Sequence, residues 1–183
     1  MALRRFLDPS VGTATVPAGT GERDTETVRR IIGELEAMPL DRARFLAAFA
    51  YILTRSAAAD LEISEVETEA IERLVAEHGE LPEAQAVLVS QMARSQSILY
   101  GGTEDYLVTR QFKELSTDAD RLALLRCCYL VGAADETITV AESDTLQEIA
   151  HELDVDRAAV NVIRNEFAPK LSTIQALLRL RGG

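Results

Sequence analysis

The chain has 183 residues, of which 30 are acidic and 19 are lysine or arginine, giving a formal net charge of −11. So acidic a surface repels nucleic acid, and with no stretch of eighteen apolar residues nothing is expected to insert in a membrane. Cations and basic protein surfaces are the partners that remain.

The N-terminus, MALRRFLDPSVG, has two arginines but no apolar block behind them, so it does not read as a secretory signal and the expected location is the cytoplasm. Residues 9–24 are rich in Gly, Pro and Thr and lack periodicity, which predicts a flexible tail over 1–24 ahead of one helical domain over 25–183. Val28, Ile31, Ile32, Leu35 and Met38 then fall at helical spacing, ended by Pro39. Asp41 reads as the cap of a helix that is apolar nearly all round, ARFLAAFAYIL, and so expected at the centre of the core. Ser64 starts the next helix, with Ile71, Leu74 and Val75 inward and a stop at His78-Gly79. Pro82 opens a fourth through about Gln96, and Gly101-Gly102 breaks the chain. Thr103 is the predicted cap of a short fifth helix carrying Leu107, Val108 and Phe112. Ser116 or Thr117 caps a sixth, apolar up to Ala134, which takes Cys127 and Cys128 into the core as reduced thiols. Thr139 begins a seventh through Leu153, Asp156 caps an eighth, and KLSTIQALLRL closes the chain as a ninth. No alternating run supports a sheet. The expected class is all-α, a compact bundle of about seven to nine helices.

One pattern occurs twice. At an offset of seventy-five, Ala58, Ala59, Asp60, Ile63, Glu67 and Glu77 match Ala133, Ala134, Asp135, Ile138, Glu142 and Glu152, and Ser64 matches Thr139. Each copy, about 41–81 and 116–156, reads as a buried helix, an acidic loop and an amphipathic helix. Two such hairpins facing each other would bring their loops together. Both copies are strongly acidic: residues 60–83 hold nine acidic residues against one arginine, and residues 135–156 hold eight with no lysine or arginine.

Two readings of the loops compete. In the structural one, Ser64-x-x-Glu67 and Thr139-x-x-Glu142 are capping boxes, each cap worth about 1 kcal/mol. That leaves Asp60 and Asp135 unexplained, four residues before the hydroxyl. In the functional one, Asp60, Glu67, Asp135 and Glu142 pool as ligands of a divalent cation, with Glu62 and Glu136 as auxiliary charge. Ca²⁺, Mg²⁺ or Mn²⁺ suits such an all-oxygen set better than Zn²⁺. The spacing also resembles the second half of an EF-hand loop. However, Ser56, Ala58, Val131 and Ala133 hold the places of its first carboxylates, and Leu61 and Glu136 that of its sharp-turn glycine.

The paired loops AAADLEISEVE and GAADETITVAE, each between an Ala-rich apolar helix and an acidic amphipathic one, resemble the TerB-like proteins, named for bacterial tellurite resistance. The resemblance covers about residues 25–168. It implies a duplicated helical bundle with metal-associated acidic loops and a part in stress-response protein complexes rather than catalysis. Family members usually have Asp-Gly where this chain has Asp60-Leu61 and Asp135-Glu136. The competing expectation is a metal-independent acidic adaptor that binds a basic protein.

Other signals carry less. Glu148-Ile-Ala-His151 is one Glu-x-x-His unit of a di-iron bundle, but its counterpart in the first copy is Arg73-Leu-Val-Ala76. No serine elbow, phosphate loop or dinucleotide fingerprint is present, and no nucleophile–base pair, so catalysis is not expected. The ending LLRLRGG resembles that of ubiquitin, but no strands precede it, and Ser172-x-x-Gln175 reads as the start of an ordinary helix.

Overall fold

A computed structural model of the chain describes residues 33–181, except Leu61, Glu62 and the side chain of Asp60. The predicted tail over 1–24, Val28, Ile31, Ile32 and Gly182-Gly183 lie outside the described residues. The chain divides into two units, residues 1–40 and Asp41–Gly183. Of the first, residues 33–36 form a helical turn that ends before Pro39.

Among the described residues the second unit is helical throughout, and its only bridge pairs Ile138 with Leu171. Two apolar helices make the core, as their sequences require. Helix α1 (Leu40–Ala57) is buried at every position from Leu46 onward except Ala47. The other, α5 (Asp118–Gly132), buries Leu124, Leu125, Tyr129 and both cysteines, which remain free thiols. Around them lie the amphipathic helices α2 (Glu65–Gly79) and α6 (Val140–Glu152). Helix α3 (Glu83–Tyr100) packs along α2, α4 (Asp105–Leu115) against α6, and α7 (Arg157–Glu166) against α5. A 3-10 turn (Ala168–Lys170) leads into α8 (Ser172–Arg181), whose last six residues are all exposed.

The hydroxyl and carboxylate caps act where the residue types put them. Ser64, Thr117 and Thr139 each close a reciprocal capping box, and Asp156 accepts from the N–H groups of Ala158 and Ala159. Three expectations are corrected. Asp41 lies inside the first turn of α1 rather than ahead of it. Helix α3 continues past Gln96 to Tyr100, since no breaker intervenes before Gly101, whose N–H closes on the Ser97 carbonyl at 2.8 Å. Thr103 finishes α3 instead of capping α4, its hydroxyl donating to the Tyr100 carbonyl at 2.7 Å. Helix α2 stops at Gly79, as expected, and the left-handed residue behind it is Glu80, at φ 49°. Gly79 is there for room: a Cβ would stand 2.9 Å from a Leu46 methyl.

Candidate functional site

The two acidic loops are built alike at their helix starts. In the first, Oε2 of Glu67 accepts from both the Ser64 amide and the Ser64 hydroxyl at 2.7 Å, while Ser64 Oγ accepts from the Glu67 amide at 3.2 Å. In the second, Oε2 of Glu142 accepts from the Thr139 amide at 2.7 Å, and Thr139 Oγ1 accepts from the Glu142 amide at 3.2 Å. Both glutamates are buried. Such burial requires the carboxylate to be satisfied, and the box supplies amides at the positive end of a helix. Asp135 is exposed, with Oδ1 accepting from the Thr137 amide at 3.1 Å in a tight side-chain turn.

Of the four expected ligands, Glu67, Asp135 and Glu142 are thus each engaged with their own loop, and the side chain of Asp60 lies outside the described residues, as does Glu62. Among the described residues, no three His, Cys, Asp or Glu side chains gather as a metal ion would need.

The second loop finds its backbone partner in the C-terminal segment. The Ile138 amide donates to the Lys170 carbonyl at 2.7 Å, and the Ser172 amide returns to the Ile138 carbonyl at 2.9 Å. Gln175 donates to the carbonyls of Glu136 and Pro169, and the Lys170 ammonium pairs with the Glu136 carboxylate. Glu136 stands at φ 79°, a left-handed backbone conformation that glycine would adopt without strain. In the first copy, the 3-10 turn Ala58–Asp60 packs against α6.

Sequence reasoning missed a highly connected buried side chain among the described residues. Arg55, buried near the end of α1, donates to Glu152 with both terminal nitrogens, at 2.7 and 3.2 Å. It also pairs with Glu148 at 3.0 Å and Asp105 at 3.5 Å, and donates to the Thr109 hydroxyl at 3.3 Å. Asp105 in turn accepts from the Tyr51 hydroxyl at 2.9 Å and the Gly102 amide at 3.0 Å. Burial works against the Arg55 charge, but the hydrogen bond and charge of Glu152, then Asp105 and Glu148, outweigh it and raise its pKa. One guanidinium therefore ties α1, α4 and α6 together. Glu148, of the Glu-x-x-His pair, is turned to this cluster. The available signal was a single charge in the largely apolar run from Leu46 to Ala57, which in a core demands acidic partners.

On another face, Sγ of Cys127 lies 3.2 Å from Nε2 of His78. Burial first, then the charge of Glu77, pushes the Cys127 thiol up to about 11, so at neutral pH it is a protonated core residue and not a nucleophile.

Among the described residues no helix is long and apolar enough to cross a membrane. No curated protein and no solved structure matches the chain. The family model described as tellurite resistance protein TerB does match, over residues 46–165, a span of about two thirds of the chain that runs from the start of the buried part of α1 almost to the end of α7 and takes in both acidic loops; the chain belongs to the TerB family.

Proposed function

We propose that this TerB-family chain is a non-catalytic module of a tellurite-resistance-related stress response in the cytoplasm. It works by docking a basic protein partner, and its acidic loops serve first as helix starts. The observation that carries this reading is the pair of reciprocal capping boxes, which bury Glu67 and Glu142 and commit an oxygen of each to its own helix. The family is generally non-catalytic, and the buried charged residues Arg55, Glu67 and Glu142 are engaged in ion pairs and caps. What remains for function is surface: two acidic helices that repel nucleic acid and attract basic protein.

A second reading has the two loops share a divalent cation through Asp60, Glu67, Asp135 and Glu142. It is favoured by two buried carboxylates at matched positions in an acidic region, where a cation would relieve repulsion. Denaturant melts of four variants decide between the two. If the loops are helix starts, Ser64→Ala and Thr139→Ala each cost about 1 kcal/mol and exceed Asp60→Asn and Asp135→Asn, with or without saturating divalent metal. If the aspartate variants lose more once metal is present, the cation reading takes over.

A further inference from the structure

On one side of the unit, α4 lies over the seam that Arg55 and Glu152 close between α1 and α6. On the other, the seam between α5 and α2 opens as a groove of about 640 Å³ with α7 as its far wall. Matching positions, seventy-five residues apart, build the two seams: Arg55 and Leu130, Glu152 and Glu77, Tyr51 and Arg126, Leu153 and His78. On the α4 side all four are shielded, Arg55 being 7% exposed and Leu153 0%, with the Glu152 and Tyr51 side chains also covered. Their counterparts in the groove stand open: Leu130 is 39% exposed, and Glu77, His78 and Arg126 are exposed as well. Leu122 and Val162 add apolar rim.

The charge differs in the same sense. Glu152 is held by Arg55, whereas Leu130 stands where Glu77 would have its arginine. Among the described residues Glu77 has no ion-pair partner. Arg126 does not fill the gap, since it is turned to Glu166 at 2.5 Å.

We propose that this groove is the seat of a short amphipathic helix from a partner protein, which lays aliphatic and aromatic side chains on Leu122, Leu130 and Val162 and brings an arginine or lysine to Glu77. Helix α4 is the template for such an occupant. It buries Thr109 and Phe112, three residues apart on one face, and meets the charges of its seam with polar groups from that face. The assignment rests on the docking reading above and names its surface and the chemistry of its partner.

The test uses the full chain and a fluorescent peptide of about 15 residues, long enough to hold a helix, with leucines and a phenylalanine on one face and an arginine beside them. A twin peptide carries glutamate in place of the arginine. The wild type should bind the arginine peptide at least roughly tenfold tighter than the twin, and Glu77→Lys should reverse the order. Leu130→Arg, which gives the groove the residue that α1 has at the matching place, should weaken the arginine peptide by a similar factor. Glu77 is exposed, so its variant keeps the test sound should Leu130→Arg fold poorly. Failure of the wild type to bind the arginine peptide, equal binding of the two peptides, or indifference to Glu77→Lys would overturn the assignment. Binding that both groove variants leave intact would place the peptide elsewhere on the acidic helices, sinking the groove while the docking reading stands; the cap and aspartate variants judge that reading separately. Self-association of the chain that Leu130→Arg abolishes would give the groove to a second copy and equally overturn the proposal.

Discussion

The guanidinium of Arg55 grips the carboxylate of Glu152 across 97 residues of sequence, with contacts of 2.7 and 3.2 Å. This pair fastens α1 directly to α6. Removing one partner leaves a shielded charge uncompensated, which costs far more than the pair contributes against an apolar replacement. Arg55→Ala should therefore lower the unfolding free energy by about 3–5 kcal/mol, while Arg55→Met combined with Glu152→Leu should recover most of the loss. A double-mutant cycle in denaturant checks this; a loss below about 1 kcal/mol for Arg55→Ala would mean that the pair behaves as a surface ion pair.

Glu136 occupies left-handed backbone where a side chain costs roughly 1–2 kcal/mol. Its exposed pair with Lys170 returns little. Glu136→Gly should thus be neutral or stabilising by up to about 1 kcal/mol, while Glu136→Ala keeps the strain, loses the pair and destabilises. Thermal melts of the two variants give the ranking, and glycine falling below alanine would refute the strain argument.

The Cys127 thiol, held at about 11 by burial and by Glu77 against an ordinary 9.0, makes stability fall at high pH. A group whose pKa folding has raised gives its full contribution below its unfolded value and loses it as pH climbs through the folded one. Between pH 9 and 11 the urea midpoint of the wild type should therefore drop more steeply than that of Cys127→Ala. Parallel curves would show that the thiol stays unlinked to folding.

Much of the architecture was legible in local chemistry. Ser64, Thr139 and Asp156 were readable as caps because capping needs only a side-chain oxygen two or three residues from the amide it accepts from. The central place of α1 followed from apolar residues on every face, and the cysteines went with the apolar run around them. What stayed hidden depends on distance along the chain. Nothing near Arg55 announces Glu152, and nothing near Ile138 announces Leu171. Gly79 ended its helix where the sequence put the stop, but the left-handed turn behind it falls on Glu80, which no local signal marks. The doubled spacing of the two acidic stretches is a matter of residue count. That the two seams differ, one sealed by α4 and the other open, depends on helices outside those stretches.

The most direct measurement is a calorimetric titration of chelator-stripped full chain with Ca²⁺, Mg²⁺, Mn²⁺ and Zn²⁺, run beside the Asp60→Asn/Asp135→Asn double variant. If the loops are helix starts and the module acts by docking protein, neither sample gives saturable heat with any of the four ions. Saturable heat in the wild type that disappears in the double variant would contradict the account and make the paired loops a shared cation site.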